Sequence, residues 1–278
     1  MAYGLTLDQV RKTRRPAALP VSWGSVTSLT EMAEFAMYRV DIAAGAAQPM
    51  RFFAAAYQAF VESGEVLVRS LDSAGAAQAG TMRAGQVLPL PRFFVHAFAS
   101  ASGATIYLFG PRSVEGLEAH LVETDETAAS AFGALRIAEL APIGQPTTDV
   151  REKYWGRIET ILSEDVAAKR IFIRAGGQSS LEYHVEKSES YYLHSGLLRL
   201  GLRIGRAENH SIVMGAGESY DVRPGVMHMR MGLEDTVIIE VSTRDSDSDS
   251  YLVEDGQTYR HIDADQKAAT TEKQEQPA

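Results

Sequence analysis

The chain contains no cysteine. That excludes disulfides, thiolate nucleophiles and thiolate-held zinc or iron–sulfur sites, and leaves histidine and carboxylates as metal-ligand material. Positive charge is scarce as well. Lys+Arg 27 against Asp+Glu 36 gives a formal net charge of −9, which argues against a nucleic-acid or anionic-membrane surface, because both require clustered Lys and Arg. A small anionic substrate needs only a local basic pocket and stays open. No run approaches the ~18 apolar residues of a membrane span. Arg11, Lys12, Arg14 and Arg15 are followed by no apolar stretch resembling a signal peptide. These absences lead to the expectation of a soluble, cytoplasmic protein with neither nucleic acid nor membrane as a partner.

What is present suits a folded protein with a sizeable core: 45% hydrophobic and 23% charged residues over 278 positions. The most informative feature is an internal repeat. Trp23-Gly24 returns as Trp155-Gly156, Ser63-Gly64 as Ser195-Gly196, Gly85 as Gly217, His96 as His228 and Arg112 as Arg244, each 132 positions later. Two copies at so long a period indicate a duplicated domain rather than a solenoid. Each half would be about 110 residues, an ordinary domain size.

Both halves read as β. Short β-branched or aromatic runs (Met37 to Ile42, Ala59 to Glu62, Val66 to Ser70, Thr105 to Phe109; then Ile171 to Ile173, Ser190 to Leu193, Leu197 to Ile204, Ser211 to Val213, Thr236 to Val241) are separated by Gly, Ser, Asn and Asp turns. Such tight spacing suggests sandwiches or small barrels. Helical signal concentrates near Val114 to Val122 and Thr127 to Leu140, and Pro142, Gly144 and Pro146 punctuate a linker. The expected division is a first barrel over 1–125, a linker over 126–150, a second barrel over 151–261, and a polar tail over 262–278 that cannot bury enough apolar surface to order itself.

The second half carries two clusters of potential ligands. In Gly177 to Glu189, His184 and Glu186 are two apart and on a strand would share a face, with Glu189 turned inward by a bend. In Gly217 to His228, a Pro224-Gly225 turn would deliver His228 onto an adjacent strand. Mixed imidazole and carboxylate donors suit Mn, Fe, Ni, Co or Zn. The bland reading is surface acids and a satisfied histidine; a barrel interior would favour metal, since a buried carboxylate must be paired or bind a cation.

These clusters resemble the paired motifs of the cupin superfamily, G-x5-H-x-H-x3,4-E-x6-G and G-x5-P-x-G-x2-H, with Glu189 followed by six residues and Gly196. Over about residues 150 to 255 the chain is similar to the cupin domain of type II mannose-6-phosphate isomerases. The stretches that carry the likeness are Lys153 to Gly156, Ser180 to Glu189 and Glu240 to Thr243. The resemblance implies an all-β fold of two tandem jelly-roll-type cupin barrels. It also implies one divalent ion (Mn, Zn, Fe, Ni or Co) held in the second barrel by His184, Glu189 and His228, with Glu186 in place of a second histidine and Lys187 in place of an arginine. A homodimer is the expected assembly.

The implied activity is metal-dependent aldose–ketose isomerisation of a sugar or sugar phosphate, with Glu182 or Glu186 moving the proton. Lys187 either assists beside the metal or, by alternation, points outward. Arg230 is the guanidinium expected to hold a substrate anion, and Tyr183 either lines the cavity or packs against the opposite sheet. The alternatives are a non-catalytic bicupin that binds a sugar-like metabolite, and a cupin dioxygenase. In the first half a constant offset sets Phe52 opposite His184, Ala54 opposite Glu186 and Tyr57 opposite Glu189, leaving only His96. That half is expected to be structural, an apolar pocket or a dimerisation surface.

Overall fold

The computed structural model describes residues 6, 10–112, 119–122, 140–147 and 149–263. These are almost entirely β, as expected: 23 strands and one short 3-10 turn, Asp247–Asp249. The expected strands are present at their places, among them Ala36–Ile42, Ala104–Gly110, Leu197–Ile204 and Thr236–Thr243. Part of the expected helical region is strand instead. Ala119–Leu121 pairs with Arg51–Phe53, and this tertiary pairing overrides local helical preference. The rest of that region, apart from Val122 and Leu140, lies outside the described residues, as does the polar tail beyond Asp263.

The chain divides into two compact units, Pro16–Asp149 with Thr160–Leu162, and Met1–Arg15 with Val150–Glu159 and Ser163–Ala278. In the first, one long strand, Tyr57–Leu71, organises the sheet. Its start pairs with Gln86–Leu90 and Ala104–Gly110. Beyond Gly64 it pairs with Ala77–Arg83 and His96–Ser100. The core draws on both ends of this strand: Val61 and Val66 pack with Trp23, Val40, Phe53, Phe98 and Ile106. The described end of the expected linker folds back here, with Ile143 against the core and Gln145–Pro146 paired to Val87 and Gln86.

The second unit has two sheets. Six strands run in the order Val150–Lys153, Gly156–Ser163, Val166–Ile173, Thr236–Thr243, Glu189–Ser195, Ser219–Val222; five run His210–Gly215, Leu197–Ile204, Val226–Gly232, Leu181–Tyr183, Tyr251–Glu254. They enclose one core, to which the first sheet gives Ile171, Tyr191 and Ile238 and the second gives Leu198, Leu200 and Leu202. The three leucines alternate along their strand and are fully buried, each contributing about 2 kcal/mol. The outermost strand of the six, Ser219–Val222, is not left bare. Arg14 exchanges backbone hydrogen bonds with Ser219 at 3.0 and 2.8 Å, its guanidinium meets Asp221 at 3.0 Å, and Tyr220 donates its hydroxyl to the Val10 carbonyl at 2.7 Å.

Of the repeated glycines, Gly196 marks where the second half turns from one sheet to the other, and Gly64 where the long strand of the first half changes pairing partners. Gly196 has φ +87°, and a Cβ there would stand 2.3 Å from the Asp235 carbonyl oxygen. Gly196→Ala is therefore expected to cost about 2 kcal/mol or more in urea unfolding, against about 1 kcal/mol for Gly176→Ala, where φ is also positive but the space is open.

Candidate metal centre

The strand Leu181–Tyr183 lies beside Val226–Gly232, with Glu182 directly across from His228. The turn before His228 is tied to the first cluster, because the Gly225 N–H donates to the His184 carbonyl at 2.7 Å. Glu182, His184 and His228 present ligand atoms all within 4.8 Å of one another, a Glu/His/His site consistent with a divalent metal. Glu189 completes the group. It is 2% exposed, with Oε1 at 3.4 Å from His184 Nε2 and Oε2 at 3.2 Å from His228 Nε2. Tyr191 donates its hydroxyl to Glu189 Oε2 at 2.6 Å.

The protonation of the two imidazoles decides what these contacts mean. His184 Nδ1 faces the Asp249 carbonyl at 2.8 Å and His228 Nδ1 faces the Val226 carbonyl at 3.1 Å. A carbonyl only accepts, so the hydrogen-bond network assigns the proton of each neutral ring to Nδ1. Each Nε2 is then a lone pair, buried and without a hydrogen-bond partner, aimed toward a carboxylate. Lone pairs and a carboxylate converging in a buried space repel unless a proton or a metal cation stands between them. Backbone-anchored Nδ1–H with Nε2 free is also the arrangement that orients histidine for a metal. The residues present thus fit a divalent ion.

Charge balance reaches further than the ligands. Glu182 meets Arg230 at 2.7 Å; Arg230 meets Glu240 at 3.3 Å; Glu240 meets Lys169 at 3.4 Å. Lys169 meets Asp245 at 2.6 Å, Asp245 meets Lys187 at 3.0 Å, and Lys187 meets Glu189 at 2.7 Å. The chain alternates in sign from one carboxylate of the site to the other. Burial alone would raise the Glu189 carboxyl, but Lys187 and the two histidines outweigh it and hold it well below the usual range. Burial would likewise raise Glu182, and Arg230 turns the balance downward. For His184, burial would lower the ring, the Glu189 carboxylate beside it outweighs burial, and the net shift is upward. These groups line a cavity of about 170 Å³ that also receives Arg151, Lys153, Asp247 and Ser250.

Residues 186 and 187 are placed otherwise than strand alternation alone would place them. The strand ends at Tyr183 and a bend follows, so alternation does not carry from His184 to Glu186. The Asp249 carboxylate accepts the backbone N–H groups of Val185 at 2.8 Å, Glu186 at 3.1 Å and Lys187 at 2.8 Å. This brace turns Glu186 out to solvent and Lys187 inward, where it is buried. Tyr183 stacks on Tyr251 at 5.1 Å and does not line the cavity. Arg230 lines it, but locked between Glu182 and Glu240. Lys169, Tyr191, Glu240, Asp245 and Asp249 are components that the ligand motifs do not name. The cross-strand pair Lys169–Glu240 follows from register, which two separate β runs do not reveal.

Asp245 offers a test of the charge chain. Burial would raise its carboxyl from 3.8, yet the Lys169 and Lys187 ammoniums hold it at about 2. A depressed carboxylate stabilises the fold above its unfolded value, and that contribution is lost as pH falls through the folded one. Asp245→Asn should lose about 2 kcal/mol at neutral pH, with the difference from wild type closing between pH 4 and pH 2 in denaturant titrations.

Comparison with known proteins agrees with this architecture. Residues 26–121 match the family described as Cupin, whereas no curated protein matches the chain. Oxalate decarboxylase from Bacillus subtilis, in a form with residues 162–163 deleted, superposes with a TM-score of 0.65 at 15% identity over 83% of this chain and 75% of its own. Oxalate decarboxylase of Lactobacillus farciminis, in complex with formate, gives 0.62 at 16% identity over 92% and 88%. A further B. subtilis oxalate decarboxylase structure, described for its Mn(II) centres, gives 0.64 at 15% over 91% and 78%. At these identities the likeness shows a shared fold, and the family match is confined to the first half.

Proposed function

We propose that the protein is a metal-dependent cupin enzyme whose second unit holds one divalent ion through His184, Glu189 and His228, with Glu182 beside it, and interconverts aldose and ketose forms of a small sugar or sugar phosphate. The observation that carries the metal reading is the pair of buried, partnerless Nε2 lone pairs facing a carboxylate. Two imidazoles with carboxylates suit Mn, Fe, Co, Ni or Zn. When bound, the ion would supply Lewis acidity toward a carbonyl and its adjacent hydroxyl.

The chain's own residues supply the proton chemistry. Glu182 is kept ionised by Arg230 and lies at the cavity, so its carboxylate can take a proton from one carbon and return it to the neighbour. Lys187 balances Glu189 and keeps the ligand carboxylate charged. Arg151 and Lys153 at the same cavity are the groups suited to a substrate phosphate. Glu186, exposed, has no part in this chemistry. A second reading, metal-dependent turnover of a small dicarboxylate, is favoured by the fold shared with oxalate decarboxylases and by the Lys169 and Lys187 ammoniums in the cavity wall.

Elemental mass spectrometry of purified protein should find about one transition metal per chain in wild type and none in His228→Ala. Asp249→Ala, which removes the carboxylate that braces the bend between His184 and Glu189, should weaken metal binding by about 10–100-fold. With metal bound, the isomerase reading expects solvent deuterium to enter the carbon next to the carbonyl of a sugar phosphate, and expects Glu182→Gln to abolish that exchange while retaining metal. Carbon dioxide release from a dicarboxylate, or oxygen uptake, without such exchange would replace the isomerase reading. Metal-free protein after reconstitution would overturn the enzyme reading altogether.

A further inference from the structure

The first unit repeats the geometry of the metal centre with one charge inverted. Arg51 stands directly across from His96 on paired strands, as Glu182 stands directly across from His228. The two histidines are 132 apart, but their cross-strand partners are 131 apart. The constant offset therefore fails locally, and the extra residue lies in the bend between His184 and Glu189. Register sets Arg51 against Glu182 and Phe53 against His184. The ring distances agree: Phe53 to His96 is 5.2 Å and His184 to His228 is 5.5 Å.

Directly opposed residues of an antiparallel pair share a face, here the face of the buried core residues Phe53 and Phe98. Arg51 is 8% exposed. Its Nε donates to the Pro49 carbonyl at 3.2 Å and its guanidinium lies 5.0 Å from the Trp23 ring centroid. Among the described residues no carboxylate pairs with it. His96 is fully buried, with Phe53, Phe94 and Phe98 rings 5.1–5.6 Å away. Its Nδ1 faces the Phe94 carbonyl at 2.8 Å, and its Nε2 is buried without a partner. Burial keeps the ring neutral, pushing it down to about 4, so Nε2 is an acceptor waiting for a donor.

A buried guanidinium lacking a counter-ion and a buried acceptor lacking a donor, side by side on one face, define a ligand by difference. A water molecule would satisfy the hydrogen bonds but leave the charge uncompensated, which is the larger cost. A simple carboxylate would answer the charge but set its own lone pairs against His96. We propose that the first unit binds a small oxyanion that keeps a hydroxyl, a hydroxy carboxylate or hydrogencarbonate, with its charged oxygens on Arg51 and its O–H donated to His96 Nε2. The surrounding rings of Trp23, Phe53, Phe94 and Phe98 select a compact molecule. The second unit holds a mobile cation among fixed anions; the first holds a mobile anion on a fixed cation.

The test is thermal unfolding and calorimetric titration of the full chain with glycolate, hydrogencarbonate and acetate, at ionic strength held constant with a bulky sulfonate. One or both hydroxy anions should raise the unfolding midpoint and release or absorb heat, and which of them does so identifies the source. Acetate, lacking the hydroxyl, should bind at least about tenfold more weakly. Arg51→Met keeps the alkyl stem against Trp23. It should abolish the response while unfolding no earlier than wild type in anion-free buffer. His96→Phe should abolish the preference for the hydroxyl. In wild type the His96 Nε2 nitrogen resonance should shift with the hydroxy anions and not with acetate, a readout independent of whether the variants fold. No midpoint, heat or resonance change with either hydroxy anion, or an unchanged response in Arg51→Met, would overturn the proposal.

Discussion

A carboxylate as deeply buried as Glu189 is costly by several kcal/mol unless cations and donors surround it, and that constraint arranges the interior of the second unit. Lys187 and Tyr191 each take one of its oxygens. Lys187 then requires Asp245, Asp245 requires Lys169, and the sequence of obligations runs through Glu240 and Arg230 to Glu182 at the far side of the same cavity. Removing any member strips each neighbour of one opposite charge in a medium where charge is expensive. The site's geometry is thus over-determined by electrostatics, while the two imidazole lone pairs face a carboxylate with no hydrogen between them.

Much of this was legible in the sequence, and what was not has identifiable causes. The strands followed from β-branched runs between turn residues, and the duplication from matched Trp-Gly, Ser-Gly and His positions. His228 followed from its Pro-Gly turn, and Glu189 from its spacing to Gly196. The exchange of Glu186 and Lys187 was hidden because Asp249, 63 residues downstream of Glu186, sets that bend. Tyr183 was left open because its stacking partner, Tyr251, belongs to a strand that joins only through the folded sheet. Period-two reasoning is sound along a strand and fails at its end, and the end here falls one residue before His184.

The two units share a frame of turns and strands while their inward side chains differ. The family match lies in the half whose ligand positions are Arg51, Phe53 and Tyr57 rather than carboxylate and imidazole. What persists there is the frame of turns and core strands, with glycine at 64 and 196 turning the chain between pairing partners at φ +85° and +87°. What changed is the content of a few inward positions on two adjacent strands. A one-residue difference in the connecting bend suffices to exchange which residues face inward.

The bond between Val10 and Tyr220 joins residues 210 positions apart, and that between Arg14 and Asp221 spans 207. Ribosomal synthesis delivers the two sides of these contacts far apart in time. The earlier segment emerges with its hydrogen-bonding groups unanswered, and the strand it covers is made only after all the residues between them. Until the two meet, the six-stranded sheet presents an open edge, the surface through which β proteins recruit one another. The segment from Val10 to Arg14 thus closes the edge of a sheet that does not yet exist when the segment is made. A nascent chain carries that open edge in the interval between completing Ser219–Val222 and docking Val10 to Arg14 against it.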